Sequence, residues 1–209
     1  AVSFFKVGMP MQAQLGGSGQ KLTGRVREVG ASADPVTRTF TIKLALDASE
    51  SLPLGATVNV LAGQQLADRA VRAGVRQFLF ASSGSVYGVK DETNVTEELT
   101  LVPISVYNKT KMVAERVFLS YANQMQVHCI RPATVCGLSP RMRLDVSVNM
   151  LTYQALKNRR ITVFGGDQTR PNIHIQDIAN VYRHFLTHPE IASGCYNAGF
   201  ENISILSIA

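Results

Sequence analysis

The chain has 209 residues, 45% hydrophobic and 17% charged, the balance of an ordinary folded protein with room for one sizeable domain or two small ones. Its net charge of +6 is spread thinly, six Lys/Arg against four Asp/Glu in residues 1–58 and fifteen against eleven in residues 59–209, which excludes the dense basic surface of a nucleic-acid binder. Three cysteines without a CxxC pair fit free thiols in a reducing, cytoplasmic setting, and no apolar run approaches the ~18 residues that span a bilayer.

The opening Ala1-Val-Ser-Phe-Phe has neither the basic start nor the cleavage site of a signal peptide, and the chain reads as a piece of something longer. Residues 1–58 are β-rich. Lys21-Leu-Thr-Gly-Arg-Val-Arg-Glu-Val29 and the stretch 37–46 alternate in polarity, with polar or Pro-bearing turns beside them, which predicts strands with one wet face. The glycine-rich run Leu15-Gly-Gly-Ser-Gly-Gln20 lacks GxxGxxG spacing and precedes a strand pattern instead of a helix. It is expected to be a hairpin or interstrand loop, not a phosphate cradle.

From residue 59 the period changes. A helix over about 60–73 ends at Gly74, a continuous apolar strand follows at 77–83, then a polar loop, a long helix over about 105–124, and a second buried strand at 127–132. Helices alternating with short apolar strands imply βαβ units on a parallel sheet. The fold class expected is therefore α/β, a partial Rossmann-like parallel sheet with helices preceded by a β-rich segment. The boundary is placed at 58/59, where Val58-Asn-Val60 reads both as a closing strand and as a helix opening. Lys157-Asn-Arg-Arg160 fits the last turn of a helix complementing its dipole. His184 and His188 stand at i, i+4 without a Cys or carboxylate at ligand spacing, so no metal site is predicted.

The informative constellation is Tyr107-Asn-Lys-Thr-Lys111 with Ala81-Ser-Ser-Gly-Ser-Val-Tyr-Gly88 upstream. On a helix Tyr107 and Lys111 share a face, and a cation beside a phenol favours the phenolate. Such a phenol can take a proton from a substrate hydroxyl while a hydride leaves the same carbon. Ser83, at the carboxyl end of the strand at 77–83, stands where ligands bind in open α/β sheets and can hold the substrate oxygen.

The ordered blocks Arg72-Ala-Gly-Val-Arg-Gln-Phe-Leu-Phe-Ala-Ser-Ser, Ser85-Val-Tyr-Gly, Pro103-Ile-Ser-Val-Tyr-Asn-Lys-Thr-Lys, Arg131-Pro-Ala-Thr-Val-Cys-Gly, Gly165-Gly-Asp-Gln-Thr-Arg-Pro-Asn-Ile-His-Ile-Gln-Asp177 and Tyr196-Asn-Ala-Gly complete a pattern. From residue 59 onward the chain resembles the extended short-chain dehydrogenase/reductases, in particular the NAD-dependent nucleoside-diphosphate-sugar epimerases and dehydratases. That resemblance implies Ser83, Tyr107 and Lys111 as catalytic residues. It implies Asn59, Ser82, Pro132, Tyr107 and Lys111 near NAD, and Thr134, Asn149 and Arg170 near a nucleotide-sugar. At 134 and 136 the sequence has Thr and Cys where relatives often have Asn and Tyr; Cys136 reads as a small buried residue, not a nucleophile. Homo-oligomer formation is left open.

The strand, glycine-rich turn and helix that begin this family's dinucleotide site do not occur in residues 1–58. Leu22-Thr-Gly-Arg-Val-Arg-Glu-Val, Ala33-Asp-Pro-Val-Thr-Arg-Thr-Phe-Thr-Ile and Leu54-Gly-Ala-Thr-Val-Asn-Val instead resemble the β-rich region of periplasmic adaptor (membrane fusion) proteins of efflux pumps. The expectation is a hybrid, inactive as it stands for want of the phosphate-binding turn. The alternatives are an active NAD-dependent epimerase/dehydratase and an adaptor-like interaction module. Because the strand at 77–83 has no earlier partner in the sequence, the strand at 37–46 is expected to add to its edge.

Overall fold

The computed structural model describes residues 5–15, 21–30, 42–47, 58–60, 62–92, 94–140 and 142–209. The glycine-rich run at 16–20, the adaptor-like block at 31–41 and the stretch 48–57, where a turn is expected, lie outside the described residues. Two compact units are formed: one holds the described residues up to Gly74 with Ser105–Tyr107, the other Val75–Ile104 with Asn108–Ala209.

In the first unit, β1 (Pro10–Leu15), β2 (Lys21–Val29), β3 (Ile42–Leu46) and β4 (Val58–Val60) make an antiparallel sheet in the order β3-β2-β1-β4. The alternation read in residues 21–29 is realised. Leu22 and Val26 of β2 are buried, as are Met11 and Ala13 of β1, and the intervening side chains face water. Gly24 is required by close approach, since a Cβ there would run into the carbonyl oxygen of Ala45. The strands on either side of residues 16–20, β1 and β2, pair with each other antiparallel. Helix α1 (Ala62–Arg72) buries Ala67 and Ala70 and stops at Gly74, whose φ of 71° suits glycine.

The second unit is built on a parallel sheet, β5-β6-β9, of β5 (Gln77–Ala81), β6 (Gln126–Pro132) and β9 (Gly194–Ala198). A 3-10 turn (Gly84–Tyr87) and helix α2 (Val106–Leu119) connect β5 to β6. Beyond β6 come β7 (Thr134–Cys136), α3 (Ser147–Asn158), β8 (Thr169–His174) and α4 (Ile175–Thr187). After β9, β10 (Glu201–Ser204) and the short α5 (Ile205–Ile208) close the chain; β10, β8 and β7 form a second small sheet.

The central sheet is covered on both faces, which explains its continuous apolar strands. Leu79, Ile130, Tyr196 and Ala198 face α4, where Ile178 and Phe185 meet them. Phe78 and Phe80 point the other way and pack on Phe118 of α2, with ring centroids 4.7 and 4.8 Å away. His128 is fully buried on the α4 side, where Nε2 lies 3.0 Å from the Ile191 carbonyl and Nδ1 3.5 Å from Gln77 Nε2.

Two sequence expectations need correction. The described part of the 37–46 stretch, β3, pairs with β2, and the strand partner of β5 is β6. A nearby antiparallel edge closes a shorter loop than a distant parallel one. The second helix ends at Leu119, not near 124, because the chain tightens there into i→i+3 bonds, Tyr121 N–H to Phe118 O and Ala122 N–H to Leu119 O. That turn sinks Tyr121 and Met125 into the core.

Candidate active site

Strand β5 ends at Ala81, two residues before Ser83. Ser82 N–H donates to the Ile130 carbonyl at 2.8 Å, tying the strand end to β6. Ser83 then caps the 3-10 turn: its hydroxyl accepts from Ser85 N–H at 3.2 Å and lies 2.7 Å from Ser85 Oγ, which donates to Asn108 Oδ1 on α2 at 2.7 Å. Lys111 reaches the same strand end, its Nζ donating to the Ala81 carbonyl at 2.6 Å and standing 4.9 Å from the centre of the Phe80 ring. Burial lowers the proton affinity of this ammonium, with the Glu115 charge opposing. The structure thus brings Ser83 and Lys111 to the carboxyl end of β5. Tyr107 lies one turn before Lys111 on α2, next to Asn108.

Beneath them runs a buried polar network absent from the sequence reading. Glu115, one turn after Lys111, is 2% exposed, and its carboxylate accepts from Arg131 Nε and Nη2 at 2.9 and 2.8 Å and from Ser82 Oγ at 2.5 Å. Arg131 Nη1 donates to the Tyr87 hydroxyl at 2.7 Å, and that hydroxyl donates to Asn197 Oδ1 at 2.8 Å. Asn197 is held in turn by its N–H on Glu97 Oε1 and its Nδ2 on the Val95 carbonyl. Burial alone would loosen the Arg131 proton; the bonds to Glu115 and Tyr87 outweigh it and raise the affinity. Burial raises the Tyr87 phenol, against the pull of Arg131.

The remaining predicted residues come from several elements. Asn59 lies in β4 opposite Gln14 instead of opening α1, which begins at Ala62. The Ser82 hydroxyl is committed to Glu115, and Pro132 ends β6 opposite Ala198. Thr134 opens β7, half-buried, opposite Asn172. Asn149 is buried and uses both ends of its amide on the chain itself, accepting from Gly137 N–H at 2.9 Å and donating to the Arg143 carbonyl at 2.9 Å. Arg170 is exposed on β8, with Nε donating to Gln168 Oε1 at 2.8 Å. Among the described residues no group of three or more His, Cys, Asp or Glu could hold a metal ion, and no helix is long and apolar enough to cross a membrane.

A parallel sheet covered by helices on both faces, with a serine turn and Lys111 at its carboxyl edge, defines a mixed α/β protein of Rossmann-like build. The profile of the NAD dependent epimerase/dehydratase family matches residues 45–199, and the chain belongs to that family. It is 32% identical over 154 residues to an uncharacterized UDP-glucose epimerase, YtcB, of Bacillus subtilis, covering 72% of this chain and 48% of that protein. It is 33% identical over 135 residues to a UDP-glucose 4-epimerase of Mycolicibacterium smegmatis, covering 62% and 43%. Among solved structures it is similar to MoeE5 in complex with UDP-glucuronic acid and NAD (TM-score 0.63, 30% identity, 71% of this chain and 50% of that one). It is also similar to UDP-glucuronic acid 4-epimerase from Bacillus cereus in complex with NAD (TM-score 0.61, 32% identity, 69% and 48%). The chain spans about half the length of the curated relatives it matches.

Proposed function

We propose that residues 59–209 carry the acid–base machinery of an NAD-dependent nucleotide-sugar epimerase or dehydratase, and that the chain by itself does not turn over such a sugar. The observation that supports the first half is Lys111, held at the carboxyl end of β5 beside the Ser83 turn and one helical turn from Tyr107. Tyr107 takes the proton of a sugar hydroxyl, Ser83 holds the same oxygen by a hydrogen bond, and the Lys111 ammonium favours the phenolate. NAD, were it bound, would supply a reversible hydride acceptor for that carbon. Lys111 and Tyr107 fit the nicotinamide ribose, with Ser82, Pro132 and Asn59 as further contacts; Thr134, Asn149 and Arg170 face the nucleotide-sugar in this reading.

The second half is supported by β1 and β2, which pair with each other antiparallel on either side of the glycine-rich run. A pyrophosphate cradle needs a glycine turn that leads into a helix, where free N–H groups and the dipole meet the phosphates. The antiparallel front sheet favours a second element of the reading, a β-module of adaptor-like ancestry joined to an epimerase-like part.

The test is a titration with NADH followed by nicotinamide fluorescence, with Lys111→Ala as control, then incubation with UDP-, GDP- and CDP-sugars. No saturable binding by the folded chain is the expected result. Saturable binding lost in the control, with turnover of any of these sugars, overturns inactivity and leaves the active enzyme as the reading.

A further inference from the structure

We propose that the buried Glu115–Arg131 ion pair is a positioning device that clamps the segment from Ser82 to Tyr87 at both ends and so fixes the Ser83 hydroxyl. Ser83's role rests on the reading above; the clamp itself is a matter of geometry.

The segment is short and its ends are fastened to one ion pair. At its start, Ser82 Oγ donates to Glu115 Oε1; at its end, the Tyr87 hydroxyl accepts from Arg131 Nη1. Glu115 and Arg131 come from α2 and β6 and bond to each other through two parallel N–H···O contacts, a planar fork that fixes orientation as well as distance. Both anchoring residues are buried, each 4% exposed, while Ser83 between them is only half-buried and Ser85 is exposed. At the two ends of the 3-10 turn, Val86 N–H donates to Ser83 O and Gly88 N–H to Ser85 O, each at 3.2 Å. A single short turn gains order from what holds its ends. Gly88 completes the arrangement: its φ is 76°, and a Cβ there would strike the carbonyl oxygen of Val102. The ion pair thus acts on Ser83 through Ser82 and Tyr87, and touches neither substrate nor cofactor.

Amide hydrogen exchange on the chain as it exists tests this without cofactor or turnover. Ser82→Ala and Tyr87→Phe each remove one anchoring hydroxyl and keep the ion pair. Exchange at the Val86 and Gly88 amides is expected to rise by about tenfold or more in each variant, and further in the double variant, with the β6–β9 ladder unchanged. Ser82→Thr, which keeps a hydroxyl, is expected to restore protection that Ser82→Ala loses. Unchanged exchange at Val86 and Gly88, or an equal rise along the β6–β9 ladder, overturns the clamp, because the hydroxyls would then be idle or general stabilisers. The NADH and sugar assays decide the proposed function alone, and whichever way they come out these exchange rates decide the clamp.

Discussion

Arg131→Met removes the guanidinium while keeping a long unbranched side chain. Glu115, 2% exposed, would retain the Ser82 hydroxyl but lose both Arg131 donors in a position closed to bulk solvent. Breaking a buried pair by deleting one partner costs about 3–5 kcal/mol, because the survivor is left as an uncompensated charge. The Tyr87 hydroxyl also loses a donor, though it keeps Asn197, so the upper part of that range is expected. For a chain of this size each kcal/mol shifts the melting temperature by about 2–4 °C, giving a drop of about 8–20 °C. Thermal and urea unfolding followed by circular dichroism measure it. The double variant Glu115→Gln/Arg131→Met is expected to recover part of the loss, since it removes the orphaned charge along with its partner. A cost below about 1 kcal/mol, the worth of an exposed pair, would refute the reasoning, as would a double variant no more stable than the single one.

Lys111 yields a pH prediction with a definite sign. Burial holds its folded proton affinity below the ordinary 10.5, so between those two values the unfolded chain binds more protons and the contribution of this residue makes stability rise with pH. The urea midpoint of the wild type relative to Lys111→Met is expected to shift in favour of the wild type from neutral pH towards 10.5; a flat difference would mean the ammonium is not desolvated. Cys129 is expected to be the last thiol to react with iodoacetamide in the native chain. Its thiol is raised by the hydrogen bond with Cys195, its in-register neighbour on β9, and by full burial, whereas Cys136 and Cys195 are half-buried. Peptide mapping that finds Cys129 labelled as fast as the other two would contradict the packing of β6 against β9.

The parallel sheet was readable because β6 is buried on both faces and β5 is half-buried from Gln77 to Phe80, and that condition writes itself as apolar runs, Phe78 to Ala81 and, interrupted only by His128, Val127 to Ile130. Ser83, Tyr107 and Lys111 were readable as an ordered motif. Glu115 was not, although it stands one turn from Lys111, because an isolated glutamate on a helix is ordinarily solvated and only its burial beside Arg131 distinguishes it. Tyr87 was quoted within a motif but given no role, since its partner Arg131 lies 44 residues away. The helix end near Leu119 was missed because residues 120–124 keep a helical composition while adopting tighter turns. The pairing of β3 was missed because apolar alternation says which face a strand buries and not which edge it seeks.

Strand β6 presents two kinds of chemistry in alternation: His128 and Ile130 enter the aromatic and aliphatic cluster against α4, while Cys129 and Arg131 turn towards α2 and Glu115. A slip of one residue against β5 or β9 would thrust the guanidinium among Ile173, Ile178 and Phe185 and leave Glu115 facing Ile130. Either half of that exchange strands a charge in an apolar setting, so a misaligned strand is rejected by the same carboxylate that rewards the correct one. The ion pair therefore serves the chain before any ligand arrives, as an error check on how its central sheet is assembled.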